Sequence, residues 1–346
     1  MIKRKITIND LAKITGFSKS TVSFALNDSN KIKEETKDCI LKKANDLGYI
    51  PDPSARNFSL KRQNSIGFLL PQKVEYTMQN PNIIGVLYSS LKICQEKGYT
   101  LKVIPPLNKS VSLAIKNAAV DGIIGFGIYE QSPIAKILET RCLPFVTIDG
   151  YLDDNIYSAN IDDEQAGYDL MNYVLSCGHR EIAVVSFTKA IYGTTKELEG
   201  GIQRRRLDGF QKALREYKLD PESLKIYYCE NWKKGADELT QKILKSEKIP
   251  TVIVGMNSVV IGHMMNNFKK AGYKIPKDIS FCSFDNTCLN DLSSPKLTYI
   301  SQDSENKSEW AINCLFDLIQ GISPKILKKQ FKHKLVIRES VRNLTK

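Results

Sequence analysis

The side chains able to do covalent or metal chemistry are few in this chain, and none is spaced for it. His179, His263 and His333 lie far apart. The eight cysteines (Cys39, Cys94, Cys142, Cys177, Cys229, Cys282, Cys288 and Cys314) stand singly, with no CxxC pair and no histidine at ligand spacing. Neither a GxSxG nor a GxGxxG motif occurs, and no Ser-His-Asp set is suggested. The expectation is a protein that is not an enzyme, with no cofactor and no metal, and with reduced cysteines. What the sequence offers instead is contact chemistry. Lys19, Ser20, Thr21 and Ser23 fall on one short segment, a donor-rich row suited to base edges and phosphates.

Charge points the same way. The 346 residues hold 50 Lys+Arg against 38 Asp+Glu, a net +12, which suits polyanionic partners. Residues 1–62 carry 13 basic and 7 acidic side chains, half of that excess, ahead of a body read as nearly balanced. On charge alone, a lysine-rich solvated surface is the alternative. With 42% apolar and 25% charged residues, the chain is expected to fold by burial without disulfide staples, in two or three domains. It shows no run long enough to span a membrane and no apolar signal-peptide core, so it reads as cytoplasmic, without a membrane partner.

Two kinds of element must position these residues. Over 6–50 the pattern predicts three short helices. Thr7 with Asp10 opens the first and Gly16 stops it. Ser18 caps the second through Leu26, and Ile40, Leu41, Ala44 and Leu47 stripe a third over 34–47. Ala12 at the crossing, Gly16 at the turn and Val22 facing back make the first two a helix-turn-helix. From Ser65 onward, apolar runs (66–70, 100–104, 122–126, 145–148, 181–187, 225–229, 251–255, 279–284) alternate with helical patterns (83–97, 163–177, 201–217, 234–245, 258–271, 305–320). Continuous apolar strands between helices predict doubly wound parallel sheets in two blocks, divided near residue 160. The proline-punctuated segment 51–64 reads as a linker.

Several stretches in order carry a family resemblance: ITINDLAKITGFSKSTVSFALN, LGYIPDPSARNF, SIGFLLP, DGII at 121–124, FVTID at 145–149, GHREIAVV at 178–185, RRLDGFQKAL at 205–214, PTVIV at 250–254, IPKDISFCSFD at 275–285, LTYISQD at 297–303 and VIRES at 336–340. Together they resemble the lactose repressor and galactose repressor family of bacterial transcription regulators. The resemblance implies an all-α helix-turn-helix head over 1–50, a hinge helix and linker over 51–64, and an α/β effector-binding and dimerisation body over 65–346. It gives that body the two-lobed periplasmic-binding-protein fold, with lobe 1 at 65–160 and 302–323 and lobe 2 at 161–301 and 324–346. The partners implied are a pseudo-palindromic double-stranded operator, a second copy of the chain and a small effector between the lobes.

Carried over residue by residue, Lys19, Ser20 and Phe24 fall where the family reads bases, with Phe24 a departure from the usual polar residue. Phe24 either meets a thymine methyl or packs on the third helix. Thr7, Ser18, Thr21, Ser23 and Asn27 would meet phosphates. Ala55 and Arg56 belong to the hinge helix, and Phe58 stands at its minor-groove wedge or else tucks under the body. For the effector the resemblance implies Asp149, Arg206, Trp232, Asn257, Asp285 and Gln302, a set suited to a sugar or phosphosugar. An Arg early in a helix is also a common surface ion-pair residue, which is the alternative for Arg206. Asn82 and Ser258 depart from the pattern and leave the ligand's identity open. Repression of a carbohydrate operon is the leading expectation. An activator, or a regulator answering to a purine or a co-repressor, is the alternative.

Overall fold

The computed structural model describes residues 6–27, 30–52, 57, 62–70, 74–128, 134–150, 155–187, 201–229, 232–285 and 287–346. The chain divides into two compact units, Met1–Gln63 and Asn64–Lys346.

In the first unit, α1 (Ile8–Thr15), α2 (Lys19–Leu26) and α3 (Glu34–Asp46) close around Leu11, Val22, Ala25, Ile40 and Ala44. Local chemistry sets each boundary. Thr7 Oγ1 accepts from the Asp10 amide while Asp10 accepts from the Thr7 amide at 2.9 Å, a reciprocal cap on α1. Gly16 ends that helix in the left-handed region (φ 74°), its N–H donating to Ala12 O. Ser18 Oγ accepts from the Thr21 amide at 3.1 Å and starts α2.

The second unit contains two six-stranded sheets. The first runs β11-β5-β4-β3-β1-β2, where β1 is Ser65–Leu69, β2 Thr100–Ile104, β3 Gly122–Phe126, β4 Phe145–Ile148, β5 Tyr157–Ile161 and β11 Lys328–Phe331. The second runs β12-β10-β9-β8-β6-β7, with β6 Ile182–Phe187, β7 Lys225–Cys229, β8 Val252–Gly255, β9 Ser280–Phe284, β10 Thr298–Ser301 and β12 Lys334–Val336. Every pairing is parallel except β10 with β12. Helices bury both faces, as the unbroken apolar strands require. Among the described residues, no helix is long and apolar enough to cross a membrane.

Three crossings join the sheets. β5 leads into helix Asp163–Ser176, which packs on the second sheet. β10 leads back into helix Ser304–Ile319, whose Ala311, Ile312 and Leu315 fill the core of the first. Residues 332–333 alone then separate β11 from β12. This corrects the lobe boundaries, since 324–346 does not belong wholly to the second lobe. Lys328–Phe331 pairs with Ser158–Ile161 as an outer strand of the first sheet, and the switch comes at 332.

Candidate functional site

In parallel sheets, ligand-handling side chains gather where strands end and helices begin. Five residues after β4, β8, β9 and β10 and early in the helix after β6 do so here: Asp149, Asn257, Asp285, Gln302 and Arg206, all at least nine-tenths buried. Asp149 (φ 52°) and Asp285 (φ 78°) sit in the left-handed region, an uncommon conformation for a residue with a Cβ.

Arg206 is not a surface ion-pair residue. Its Nε donates to Asp163 Oδ1 at 3.0 Å, and its guanidinium carbon lies 3.9 Å from the centre of the Phe284 ring, so the planar group is held between a carboxylate and an aromatic face. Arg205 donates to the other Asp163 oxygen at 3.3 Å. Two glycines allow this approach. A Cβ on Gly167 would run into Arg206 O, and one on Gly209 into Glu164 O, so helices Asp163–Ser176 and Ile202–Glu216 touch backbone to backbone.

Asp285 is held by a chain of buried polar groups. Gln302 Nε2 donates to its Oδ1, Asn290 Nδ2 donates to its main-chain oxygen at 2.7 Å, Thr287 lies 3.3 Å from Asn290 Oδ1, and Ser258 is 3.1 Å from Thr287. Burial pushes the Asp285 carboxyl up to about 6. Arg206 and Lys307 oppose that rise, and Asp149 and Asp163 add to it, so charges from both lobes act on one group. Asn257 Oδ1 caps the helix Ser258–Lys270, accepting from the Val259 and Val260 amides at 2.9 and 3.2 Å. Its Nδ2, like Gln302 Oε1, is buried with no hydrogen-bond partner among the described residues. One donor and one acceptor are thus held ready for something else.

Trp232 is the first residue of the helix that follows β7. It is 4% exposed and packs in the second-lobe core with Ala236, Ile253 and Phe281. The two departures, Asn82 and Ser258, are engaged internally: Asn82 Oδ1 accepts from Ser304 Oγ at 2.6 Å, and Ser258 meets Thr287. Sequence reasoning missed Asp163 and Lys307. Lys307 is fully buried, with its Nζ 2.5 Å from Asp149 Oδ1. The signal was present, since Lys307 is in helical register with Ala311, Cys314 and Leu315 and so falls on the stripe that must be buried.

In the head, Lys19 and Ser20 are exposed. Phe24 is half-buried with Lys31 Nζ 5.2 Å from its ring centre. The Ser18 hydroxyl bonds both Ser20 and Thr21 at 2.8 Å. Asn27 Nδ2 donates to Ser23 O at 2.9 Å, and the Thr7 hydroxyl is taken up by its cap. Ala55, Arg56 and Phe58 lie outside the described residues.

The model for bacterial regulatory proteins of the lacI family matches residues 7–52, and that for the periplasmic binding protein-like domain matches 171–341. The HTH-type transcriptional repressor PurR of Histophilus somni (strain 129Pt) is 28% identical over 349 residues, covering 98% of this chain and 99% of that protein. A lac repressor dimer bound to operator and the anti-inducer ONPF superposes with a TM-score of 0.79 at 20% identity, over 98% of this chain and all of that one. A transcriptional regulator CelR–cellobiose complex does so at 0.68 and 17%, over 97% of this chain and all of that one. Head, body and full-length relatives agree: the chain joins a DNA-binding head of the lacI family of bacterial regulatory proteins to a periplasmic binding protein-like domain, as its relatives among the regulators of transcription do.

Proposed function

We propose that this protein is a repressor that binds a pseudo-palindromic operator as a homodimer and releases or tightens it in response to a carbohydrate effector held between the two lobes. The observation that carries the effector reading is the meeting of Asp149, Arg206, Asn257, Asp285 and Gln302 at the strand ends of both sheets, with a donor and an acceptor unspent. Vicinal hydroxyls are matched by bidentate carboxylates, amides and a guanidinium. The sugar held by the CelR structure is in keeping with it, and a phosphosugar is the other member of the class. Trp232, the first residue of the helix that follows β7, would present the apolar face for a sugar ring.

Operator reading falls to exposed Lys19 and Ser20, with Phe24 offering apolar contact, and Thr7, Ser18, Thr21, Ser23 and Asn27 border the phosphates. Ala55, Arg56 and Phe58 would serve the minor groove. Self-association is supported by the exposed apolar residues Ile84, Tyr88 and Leu91 on helix Pro81–Glu96, beside exposed Val103 and Leu107 at the outer strand β2.

Selection from a random duplex library with the full chain gives the operator, and the same selection with Lys19→Ala/Ser20→Ala tests the reading. A changed preference at one or two positions per half-site is expected, each wrong pair costing about 1 to 3 kcal/mol. An unchanged site would end the assignment. On that operator, sugars and their phosphates are then titrated. If none alters affinity, the effector belongs to another class, such as a purine.

A further inference from the structure

Lys307 is a lysine with no exposed surface, placed one turn after the chain returns from the second sheet to the first. A buried ammonium is costly unless an anion and good geometry compensate it. Its Nζ meets Asp149 Oδ1 at 2.5 Å, and Asp149 is itself 1% exposed. The backbone around that carboxylate is fixed from three sides. Asp149 is in the left-handed region, its amide donates to Ala159 O at 3.0 Å, and a Cβ on the next residue, Gly150, would collide with Ile128 O and Thr147 Oγ1. The helix bearing Lys307 is anchored in turn by Ser304 to Asn82. Asp285, across the lobe boundary, feels both members of the pair as well as Arg206 and Asp163.

We propose that Lys307 is a positioning residue of the effector site: by pairing with Asp149 at the end of β4 it fixes that carboxylate as a hydrogen-bond acceptor for a ligand hydroxyl. The inference rests on the carbohydrate reading above. Physically, a desolvated carboxylate without a counter-charge takes up a proton and becomes a donor as well as an acceptor. Paired with Lys307, Asp149 is held in one orientation, and a charge-assisted bond to a hydroxyl is stronger than a neutral one. The charge is also cancelled locally, so this wall of the site presents directionality without net charge.

The test uses the full-length protein, its Lys307→Met and Asp149→Asn variants and the double variant, with ribose, glucose, cellobiose and their phosphates as probes. Titration calorimetry reads affinity, and thermal melting reads stability. Each single variant strands one buried charge and should melt well below the parent. The double variant removes both charges and should recover most of that loss. Despite that recovery, it should bind whichever sugar the parent binds about 10- to 100-fold more weakly, the loss of a charge-assisted bond. In Lys307→Met, which keeps the carboxylate but removes the partner that orients it, affinity for that sugar should fall as well. A double variant binding that sugar as tightly as the parent makes the pair structural only and overturns the proposal while leaving the carbohydrate reading intact. Should the double variant not fold, parental affinity in Lys307→Met overturns it equally. If the parent binds neither these three sugars nor their phosphates, both readings fall, because Asp149 then has no hydroxyl to meet.

Discussion

Asp285 holds its carboxyl in a left-handed turn with Gln302 as its hydrogen-bond donor, and burial raises its pKa from 3.8 to about 6. A raised carboxyl stabilises the fold below its unfolded value, and that stability is lost as pH rises through the folded value. At neutral pH the ionised group is therefore a liability. Asp285→Asn keeps an oxygen for Gln302 and tolerates the positive φ. It should melt above the parent at pH 7.5, with the difference closing between pH 6 and 4, as calorimetric melts across that range would show. A variant less stable than the parent at pH 7.5 would mean that the charge is compensated better than burial implies. At this scale the sequence was informative wherever a residue type and a family position coincided, as for Arg206, Asn257, Asp285 and Gln302. It did not give the roles of Asp163 and Lys307, which depend on partners 43 and 158 residues away, although the helical register of Lys307 marked it for burial.

Helices were legible in the sequence because their period is written in consecutive turns. Those over 163–176, 202–216 and 258–270 lie within a residue of the expected ranges. Four strands were not. Tyr157–Ile161 carries Ser158 and Asn160 inside a buried sheet, with the Ser158 hydroxyl and Asn160 Oδ1 lacking partners among the described residues. Thr298–Ser301 is short, and β11 and β12 are lysine-bearing outer strands whose pairing only the other strand explains. Helix proximity was equally invisible. Gly209 looks like a blemish in RRLDGFQKAL until the neighbouring backbone is seen to fill the space of its Cβ. Gly209→Ala should force those helices apart and cost about 1 to 3 kcal/mol in urea unfolding, with effector affinity falling too because Arg206 rides on the same helix. Parental stability in that variant would contradict the packing described.

The molecule as a whole carries its charge at both ends. Residues 324–346 hold eight basic side chains against Glu339 alone, so the body is not evenly balanced as its total suggests, and lysines crowd the outer strands, where they oppose unwanted sheet pairing. The face proposed for a second copy is the apolar one on helix Pro81–Glu96 and β2. Tyr88→Asp/Leu91→Asp should give a monomer by analytical ultracentrifugation and bind a single half-site with a marked loss of operator affinity. A stable dimer in that variant would move the interface elsewhere. The three crossings also bear on how the chain is made. The second sheet is contiguous from 182 to 301 apart from β12, whereas the first lacks both its covering helix Ser304–Ile319 and its outer strand β11 until nearly the last residue is joined. On a ribosome delivering the N-terminus first, the lobe encoded earlier therefore still lacks one covering helix and one outer strand when the central strands of the second are complete, and part of its core waits for the chain to return.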